Sequence, residues 1–349
     1  MTVHDFSSLL LERSVWFSYL LRWDALFFYE ISKNGYSSEN CTAFFPLYPF
    51  LVAACRLLFS LPLSVSGVAL SNVFFLFSAI FLFRITDAIF DTRTALFSCF
   101  LFCFSPCSII YSSMYTESLF SFFVLGSLFY LVRKRAILAS LFMCGAAATR
   151  SNGFILAPLL LIHADRRRLP SAISSLILCA APVGVFLGVQ LHWWLVWFRR
   201  YGLVLPYSYV QKKYWEQGFL QFYKYDKNIP NVIVGAPFVA LSVLVLIESG
   251  KRQYRALVKT REAGKKDLDR VRRNILLILW SVLAFQVLLS IFYIHMNMHF
   301  RFVSFNPLIY WELSEYFRKK TLFPQTLFFG YLSFGISYAV LFGAYFPPA

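Results

Sequence analysis

Acidic residues are few in this chain: 17 Asp and Glu stand against 33 Lys and Arg in 349 residues, and charged residues of either sign make up only 14%. Beside so little charge, 59% hydrophobic and 20% aromatic residues, 41 of them Phe, leave more apolar surface than a soluble core can hide. The chain is therefore expected to be a polytopic membrane protein. The net charge of +16 does not call for nucleic acid, because the basic residues cluster between apolar spans and read as topology signals. Cysteine is present seven times, at 41, 55, 99, 103, 107, 144 and 179, but without paired metal spacing and mostly within apolar runs. That excludes a disulfide framework; Cys99, Cys103 and Cys107 share a helix face as small packing thiols. Internal repeats with paired broken helices, the signature of many transporters and scramblases, are missing too. The first 22 residues contain Asp5, Glu12 and Arg13, so they make neither a signal peptide nor a span. Their Leu-rich pieces predict an interfacial helix.

Apolar runs predict spans at 66–83, 95–110, 118–132, 171–198, 232–249, 274–294 and 326–345. Shorter runs at 136–149 and 154–163 flank Arg150-Ser151-Asn152-Gly153 and predict a hairpin too short to cross, turning inside the protein. Residues 50–60, interrupted by Arg56, predict an interfacial or re-entrant helix, and a last short piece is expected over 302–313. The expected fold is all-α, one integral membrane domain over 1–349, with short re-entrant and juxtamembrane helices. Arg84 with Arg93, the clusters 133–135, 166–168 and 318–320, and ten basic residues between Lys251 and Arg273 lie on alternate turns. The positive-inside rule makes that side cytosolic, including a basic loop over 250–273. The opposite, luminal side then collects the juxtamembrane stretch 22–60, the Tyr111–Glu117 turn, Arg150, a loop over 199–231 and His295–Arg301.

The stretch Arg22–Phe50 sets one carboxylate, Asp24, between an Arg-Trp pair and a run of aromatics. Trp23, Phe27, Phe28 and Ile31 recur at helical spacing, which suits a helix lying on the membrane surface. Asp24 either caps that helix or takes part in chemistry; the residues alone leave both open. Glu117 either complements a helix dipole or belongs to the site. Arg150, a lone cation between apolar runs, needs a partner or water, with Glu117 or Asp24 in reach. In 206–231, Tyr, Trp, Gln, Lys and Asn suit a sugar surface or an interfacial aromatic belt. His295, His299 and Arg301 form a basic cluster suited to a phosphate. The HxxxH spacing lacks an adjacent Asp, Glu or Cys, so no metal site is expected there. Asp267-Leu268-Asp269 lies in the basic loop, where solvated ion pairing accounts for it. Asn40-Cys41-Thr42 is an N-glycosylation sequon beside the membrane.

In order along the chain come Trp23-Asp24-Ala25, Gly35-Tyr36, Phe44-Phe45-Pro46 with Pro49, Cys103-Phe104-Ser105-Pro106, Tyr115 with Glu117-Ser118-Leu119-Phe120, and Arg150-Ser151-Asn152-Gly153. Then follow Tyr207-Ser208-Tyr209-Val210-Gln211 with Tyr214-Trp215, Gly218-Phe219-Leu220, Pro230-Asn231, His295, Arg301-Phe302, and Pro307 with Tyr310-Trp311. This series resembles the PIG-V-type GPI mannosyltransferases, GPI mannosyltransferase II, over residues 22 to about 311. The resemblance implies a GT-C-type membrane glycosyltransferase of the endoplasmic reticulum, its site facing the lumen. It implies dolichyl-phosphate mannose as donor and transfer of the second, α1,6-linked mannose to the growing GPI lipid. It leaves room for a small membrane accessory subunit, and for a related dolichyl-phosphate-sugar transferase with another acceptor. Two features depart from the family: it usually has a helix before Trp-Asp-Ala, and Leu26-Phe27 stand where a Glu-His pair is expected.

Moving mannose from a β-linked lipid phosphate to an α-linkage inverts the anomeric centre, so one in-line displacement suffices. It needs a carboxylate to take the proton of the attacking hydroxyl and cations to hold the departing phosphate. Asp24 is the expected catalytic base. Arg301, Arg150 and His295 are the expected phosphate holders, and Trp23, Glu117, Asn152, Tyr209, Gln211, Tyr214 and Trp215 the remaining substrate-binding residues. No metal or other cofactor is expected.

Overall fold

The computed structural model describes residues 17–162, 169–196, 204–262 and 267–344, without the side chains of 227, 256–262 and 267–270. Two of the sequence expectations, the interfacial helix before residue 17 and the 166–168 cluster, lie outside them. So do the side chains of the Asp267–Asp269 motif. The described residues form helices and no strand. They begin with α1 (Asp24–Asn34), α2 (Leu47–Phe59), α3 (Leu63–Ile89), α4 (Thr92–Cys103), α5 (Ser108–Ser112), α6 (Glu117–Val132) and α7 (Ala136–Thr149). After a 3-10 stretch over Ser151–Leu161 come α8 (Leu169–Val196), α9 (Pro206–Trp215), α10 (Ile229–Glu262), α11 (Asp267–Phe292), α12 (His299–Val303), α13 (Pro307–Phe317) and α14 (Leu322–Gly343).

Among the described residues, five helices are long and apolar enough to cross a membrane: Leu63–Ile89, Leu169–Val196, Ile229–Arg255, Val271–Phe292 and Leu322–Gly343. Two expected spans are corrected. The run 95–110 is broken, because α4 stops at Cys103 ahead of Ser105-Pro106 and α5 is a separate turn of helix. Pro lacks an N–H and disfavours helix in the residue before it, so the chain bends there. The run 118–132 is helical but spans only 16 residues, buried on nearly every side as the bundle's central helix between α3 and α7. Its Ser118, Ser121, Gly126 and Ser127 let neighbours approach closely; a Cβ on Gly126 would lie 2.3 Å from Phe142. The expected basic loop is also shorter than its sequence suggests, since α10 and α11 run on through 250–262 and from 267.

The expected short hairpin is present. Helix α7 turns at Arg150, and a Cβ on Gly153 would meet the Ala146–Ala147 backbone at 2.5 Å, so only glycine allows the two arms this close. The α2 helix exposes Phe50 in its first turn and Leu57, Leu58 and Phe59 at its end, in keeping with an interfacial position. Basic turns from distant parts of the chain meet at one end of the bundle. Arg318 donates to Thr94 at 3.1 Å, Lys319 lies 3.4 Å from Glu248, Arg252 pairs with Glu312 at 3.0 Å, and Arg272 covers the Phe90 ring at 4.3 Å. Arg133–Arg135 follow the far end of α6 from Glu117, about 24 Å away at 1.5 Å per residue.

Candidate active site

At the end of the bundle away from those basic turns, four charged side chains join in a chain of alternating sign. Arg301 Nη2 donates to Asp24 Oδ2 at 2.8 Å and Nε donates to Glu117 Oε1 at 2.7 Å. Arg150 Nη1 lies 2.6 Å from the same Glu117 oxygen and donates to Thr116 Oγ1 at 3.1 Å. The inner pair, Arg301 and Glu117, is only 2% exposed at each side chain, whereas Arg150 and Asp24 keep 15% and 19%. Two positive and two negative groups cancel, which is what makes so much buried charge tolerable. Burial alone would lower the Arg301 guanidinium, but Glu117 and Asp24 more than offset it and hold it well above its ordinary value. Arg301 stays a cation.

Each member of the chain is fixed by its backbone. Arg301 sits on the short helix α12, pinned on both sides of it. His299 bridges Ser290 and Ser242 at 2.8 Å each, and Gln286 donates to the Phe302 carbonyl at 2.9 Å. Asn306 donates to the Leu279 carbonyl at 3.1 Å and accepts from Leu308 N at the start of α13. Burial pushes the His299 imidazole down to about 3, so it is a neutral structural bridge. Arg150 is the extended residue between α7 and the 3-10 stretch that Gly153 allows to fold back. Glu117 opens α6, where its charge also complements the helix dipole. Asp24 is the first residue of α1, and its N-cap, Trp23, makes no side-chain capping bond. The Asp24 carboxylate turns to Arg301 and not to the helix end. Trp23 has φ +53° and ψ −117°, a left-handed conformation that costs an ordinary side chain about 1–3 kcal/mol.

Asp24, Arg150 and Arg301 line an open cleft with about 720 Å³ of empty space. Its walls are Phe28, Phe44, Phe45, Tyr207 and Trp215, and its polar groups include Thr116, Ser151, Gln211, Gln217 and His295. Of the residues expected from sequence, Gln211, Trp215 and His295 therefore join Asp24, Arg150 and Arg301 at one surface, while Glu117 lies beneath it. The others fall elsewhere. Trp23 is 37% exposed and outside the cleft. Tyr209 packs beside the Ala43–Trp193–Val210 cluster. Asn152 is buried behind the lining residue Ser151. Tyr214 donates to Glu39 Oε2 at 2.7 Å.

That last contact belongs to a clamp which sequence reading missed. Glu39, 3% exposed at its side chain, also accepts from Lys213 Nζ at 2.5 Å and holds the ammonium above the usual lysine range. Tyr207, Gln211 and Trp215 recur every four residues and face the cleft from one side of α9. Val210, Lys213 and Tyr214 tie its other side to the 3-10 stretch Glu39–Ala43. The N-terminus of α9 is held by Gln190 Oε1, which accepts from Tyr207 N at 3.0 Å. Its C-terminus is held by His295 Nε2, which donates to the Trp215 carbonyl at 3.0 Å. Trp215 then packs on Phe27 and Phe44. The ring of His295, expected from sequence to hold phosphate, thus fixes a wall of the cleft through Nε2. Asn40 of the sequon is only 6% exposed and accepts from Ser38 Oγ at 2.5 Å.

The profile of one protein family, described as Mannosyltransferase (PIG-V), matches residues 5–187 and 191–332. The chain is 27% identical to GPI mannosyltransferase 2 of Drosophila melanogaster, covering 86% of this chain and 79% of that protein. It is 26% identical to GPI mannosyltransferase 2 of Schizosaccharomyces pombe, over 94% and 73%. To the human GPI alpha-1,6-mannosyltransferase 2 it is 26% identical over 64% of this chain, which spans 56% of the human protein. Among solved structures, the Archaeoglobus fulgidus oligosaccharyltransferase in complex with Zn and sulfate superposes with a TM-score of 0.51. That match has 16% identity and covers 87% of this chain and 45% of the other, so it speaks for the fold, a GT-C arrangement of helices.

Proposed function

The chain belongs to the PIG-V mannosyltransferase family and is a multi-pass membrane mannosyltransferase, and on that premise we propose that it adds the second, α1,6-linked mannose of the GPI lipid from dolichyl-phosphate mannose. The observation that carries the chemistry is the Asp24–Arg301–Glu117–Arg150 chain at the floor of an aromatic cleft. Asp24 is the base. Its Oδ2 is committed to Arg301, and among the described residues no donor engages Oδ1. The acceptor hydroxyl passes its proton to that carboxylate as its oxygen attacks the mannose C1 from the face opposite the phosphate. The C1–O bond breaks with its electron pair leaving on dolichyl phosphate, so the β-linked sugar ends α-linked.

Arg150 meets the departing phosphate, since it is the more exposed cation at the cleft. Arg301 orients Asp24 and adds positive charge from beneath. Glu117 is the counter-ion of both arginines and too enclosed to serve as a base. In this reading the two guanidinium groups take the place beside the carboxylates where a divalent cation would otherwise stand. Trp215, Tyr207 and Gln211 offer a stacking face and an amide for sugar rings. The opposed basic end of the bundle supports a luminal orientation of the cleft in the endoplasmic reticulum. Helix α8, 11% buried over its apolar window, offers the bare surface on which a small membrane subunit would pack. The test is rescue: the chain is expected to restore GPI-anchored surface proteins in cells lacking the second mannosyltransferase. Failure there, with transfer to a different acceptor in membranes, would leave the GT-C chemistry standing and overturn the acceptor.

A further inference from the structure

Asp24 owes its place to a turn that its own sequence does not favour. Residues Arg22–Ala25 form a β-turn closed by Ala25 N donating to the Arg22 carbonyl at 3.1 Å. Trp23 occupies its first central position at φ +53° and ψ −117°, close to the type II′ geometry that normally takes glycine. One distant side chain bridges this turn. Tyr115, fully buried, donates from its hydroxyl to the Arg22 carbonyl at 3.0 Å and accepts from Asp24 N at 3.2 Å. Its ring meanwhile lies under the Arg301 guanidinium, 4.9 Å from centre to carbon, and the backbones run side by side through Met114 N and the Leu20 carbonyl at 3.4 Å. Tyr115 therefore touches the turn before Asp24 and the cation that Asp24 binds.

We propose that Tyr115 is a positioning residue, holding the strained Trp23 turn so that Asp24 presents its carboxylate to Arg301 and to the acceptor hydroxyl. The inference rests on Asp24 being the base. The hydroxyl holds the backbone on either side of Trp23, one bond before it and one after. Without it a tryptophan has every reason to relax to negative φ, and the first residue of α1 swings with it. The ring has a separate task, keeping the guanidinium in place by its π face. Burial first, and the Asp24 carboxylate next, push the phenol well above its ordinary value, so it stays protonated and able to donate.

The two tasks can be separated by substitution. Tyr115→Phe keeps the ring under Arg301 and deletes only the bridge. In purified enzyme transferring mannose from dolichyl-phosphate mannose to the mannosyl-glucosaminyl lipid, it is expected to lower kcat by about a hundredfold, the weight of a misplacement near 1 Å. The KM for donor is expected to stay within about threefold. Adding Trp23→Gly to Tyr115→Phe lets the turn keep its positive φ without the bridge and is expected to recover at least tenfold of the loss. Adding Trp23→Ala instead removes the same indole but keeps the strain, and is expected to recover nothing. Gel-filtration profiles of the detergent-solubilised variants show whether each is folded, and the double variant with glycine carries the test even where Tyr115→Phe alone accumulates poorly. Wild-type kcat in Tyr115→Phe, or equal recovery by glycine and alanine, overturns the proposal. A wild-type enzyme that transfers no mannose overturns the functional reading itself, and this inference with it; an active wild type with an indifferent Tyr115→Phe overturns the inference alone.

Discussion

Asp24→Asn and Glu117→Gln make the same chemical change at two carboxylates bound to the same arginine, and the structure gives them opposite consequences. Asp24 is an outer member of the charge chain, 19% exposed at its side chain, and Asn retains an oxygen that still accepts from Arg301 Nη2. Its loss as an ion is therefore expected to cost only about 1 kcal/mol of stability, as for a solvent-touched pair. Glu117 is 2% exposed and takes both Arg301 and Arg150 on one oxygen. Neutralising it leaves Arg301 with Asp24 alone and takes from Arg150 the carboxylate it pairs with, and removing one partner from a buried pair costs about 3–5 kcal/mol. For catalysis the order reverses. Losing a general base slows the chemical step by roughly two to four orders of magnitude, about 2.7–5.5 kcal/mol in the barrier. Mannose transfer and thermal unfolding, measured on the same solubilised preparations, should show Asp24→Asn folded and nearly inactive and Glu117→Gln poorly folded. Near-normal transfer by Asp24→Asn would refute the assignment of the base, and a Glu117→Gln protein as stable as wild type would refute the account of the buried charge chain.

Arg301→Lys keeps the charge but cannot reach Asp24 and Glu117 at once, so transfer is expected to fall at least a hundredfold; activity equal to wild type removes Arg301 from the site. Glu39→Ala and Lys213→Ala each open the clamp behind Trp215 and are expected to raise the acceptor KM about tenfold, with the double variant no worse than either; additive losses would show that the two do not act together. His299 is held neutral, with its folded value near 3 below the unfolded 6.5, so the unfolded chain binds more protons in between. Its contribution is fully present above pH 6.5 and declines as pH falls from there toward 3, and a melting temperature that falls equally with acid in His299→Gln would contradict this. Asn40 is expected to stay unglycosylated, read as no mass shift on glycosidase treatment. A tag inserted between 251 and 273 should be cut by protease added to sealed microsomes and one between 216 and 231 spared; the converse inverts the orientation.

The charged members of the site were legible because Asp24, Glu117, Arg150 and Arg301 are costly in an apolar sequence and therefore stand out from it. Their pairing was half legible: Arg150 needed a carboxylate, but only the fold chooses Glu117. The aromatic members were not separable. Tyr207, Tyr209 and Tyr214 look alike in a run of eight helical residues, and the 100° turn per residue sends one to the cleft and the others to Ala43 and Glu39. Glu39 hid in a polar stretch that read as a loop, and Tyr115 looked like one buried aromatic among many. The break after Cys103 was written in Ser105-Pro106, yet a continuous apolar run through 95–110 outweighed it, as hydropathy sums ignore a missing N–H.

The central helix sets where in the bilayer the chemistry can happen. With Arg133–Arg135 at one interface, about 24 Å of α6 cannot traverse about 30 Å of hydrocarbon, so Glu117 and the arginines above it end about 6 Å short of the other. The cleft is then a dimple sunk below the phosphate plane of the surrounding lipids. On the proposed reading, a membrane-anchored donor need not be lifted into water to react; its phosphate would move down a little toward Arg150 while its isoprenoid stays in oil. Because α6 is enclosed between α3 and α7, that shortfall is bordered by protein and not by lipid.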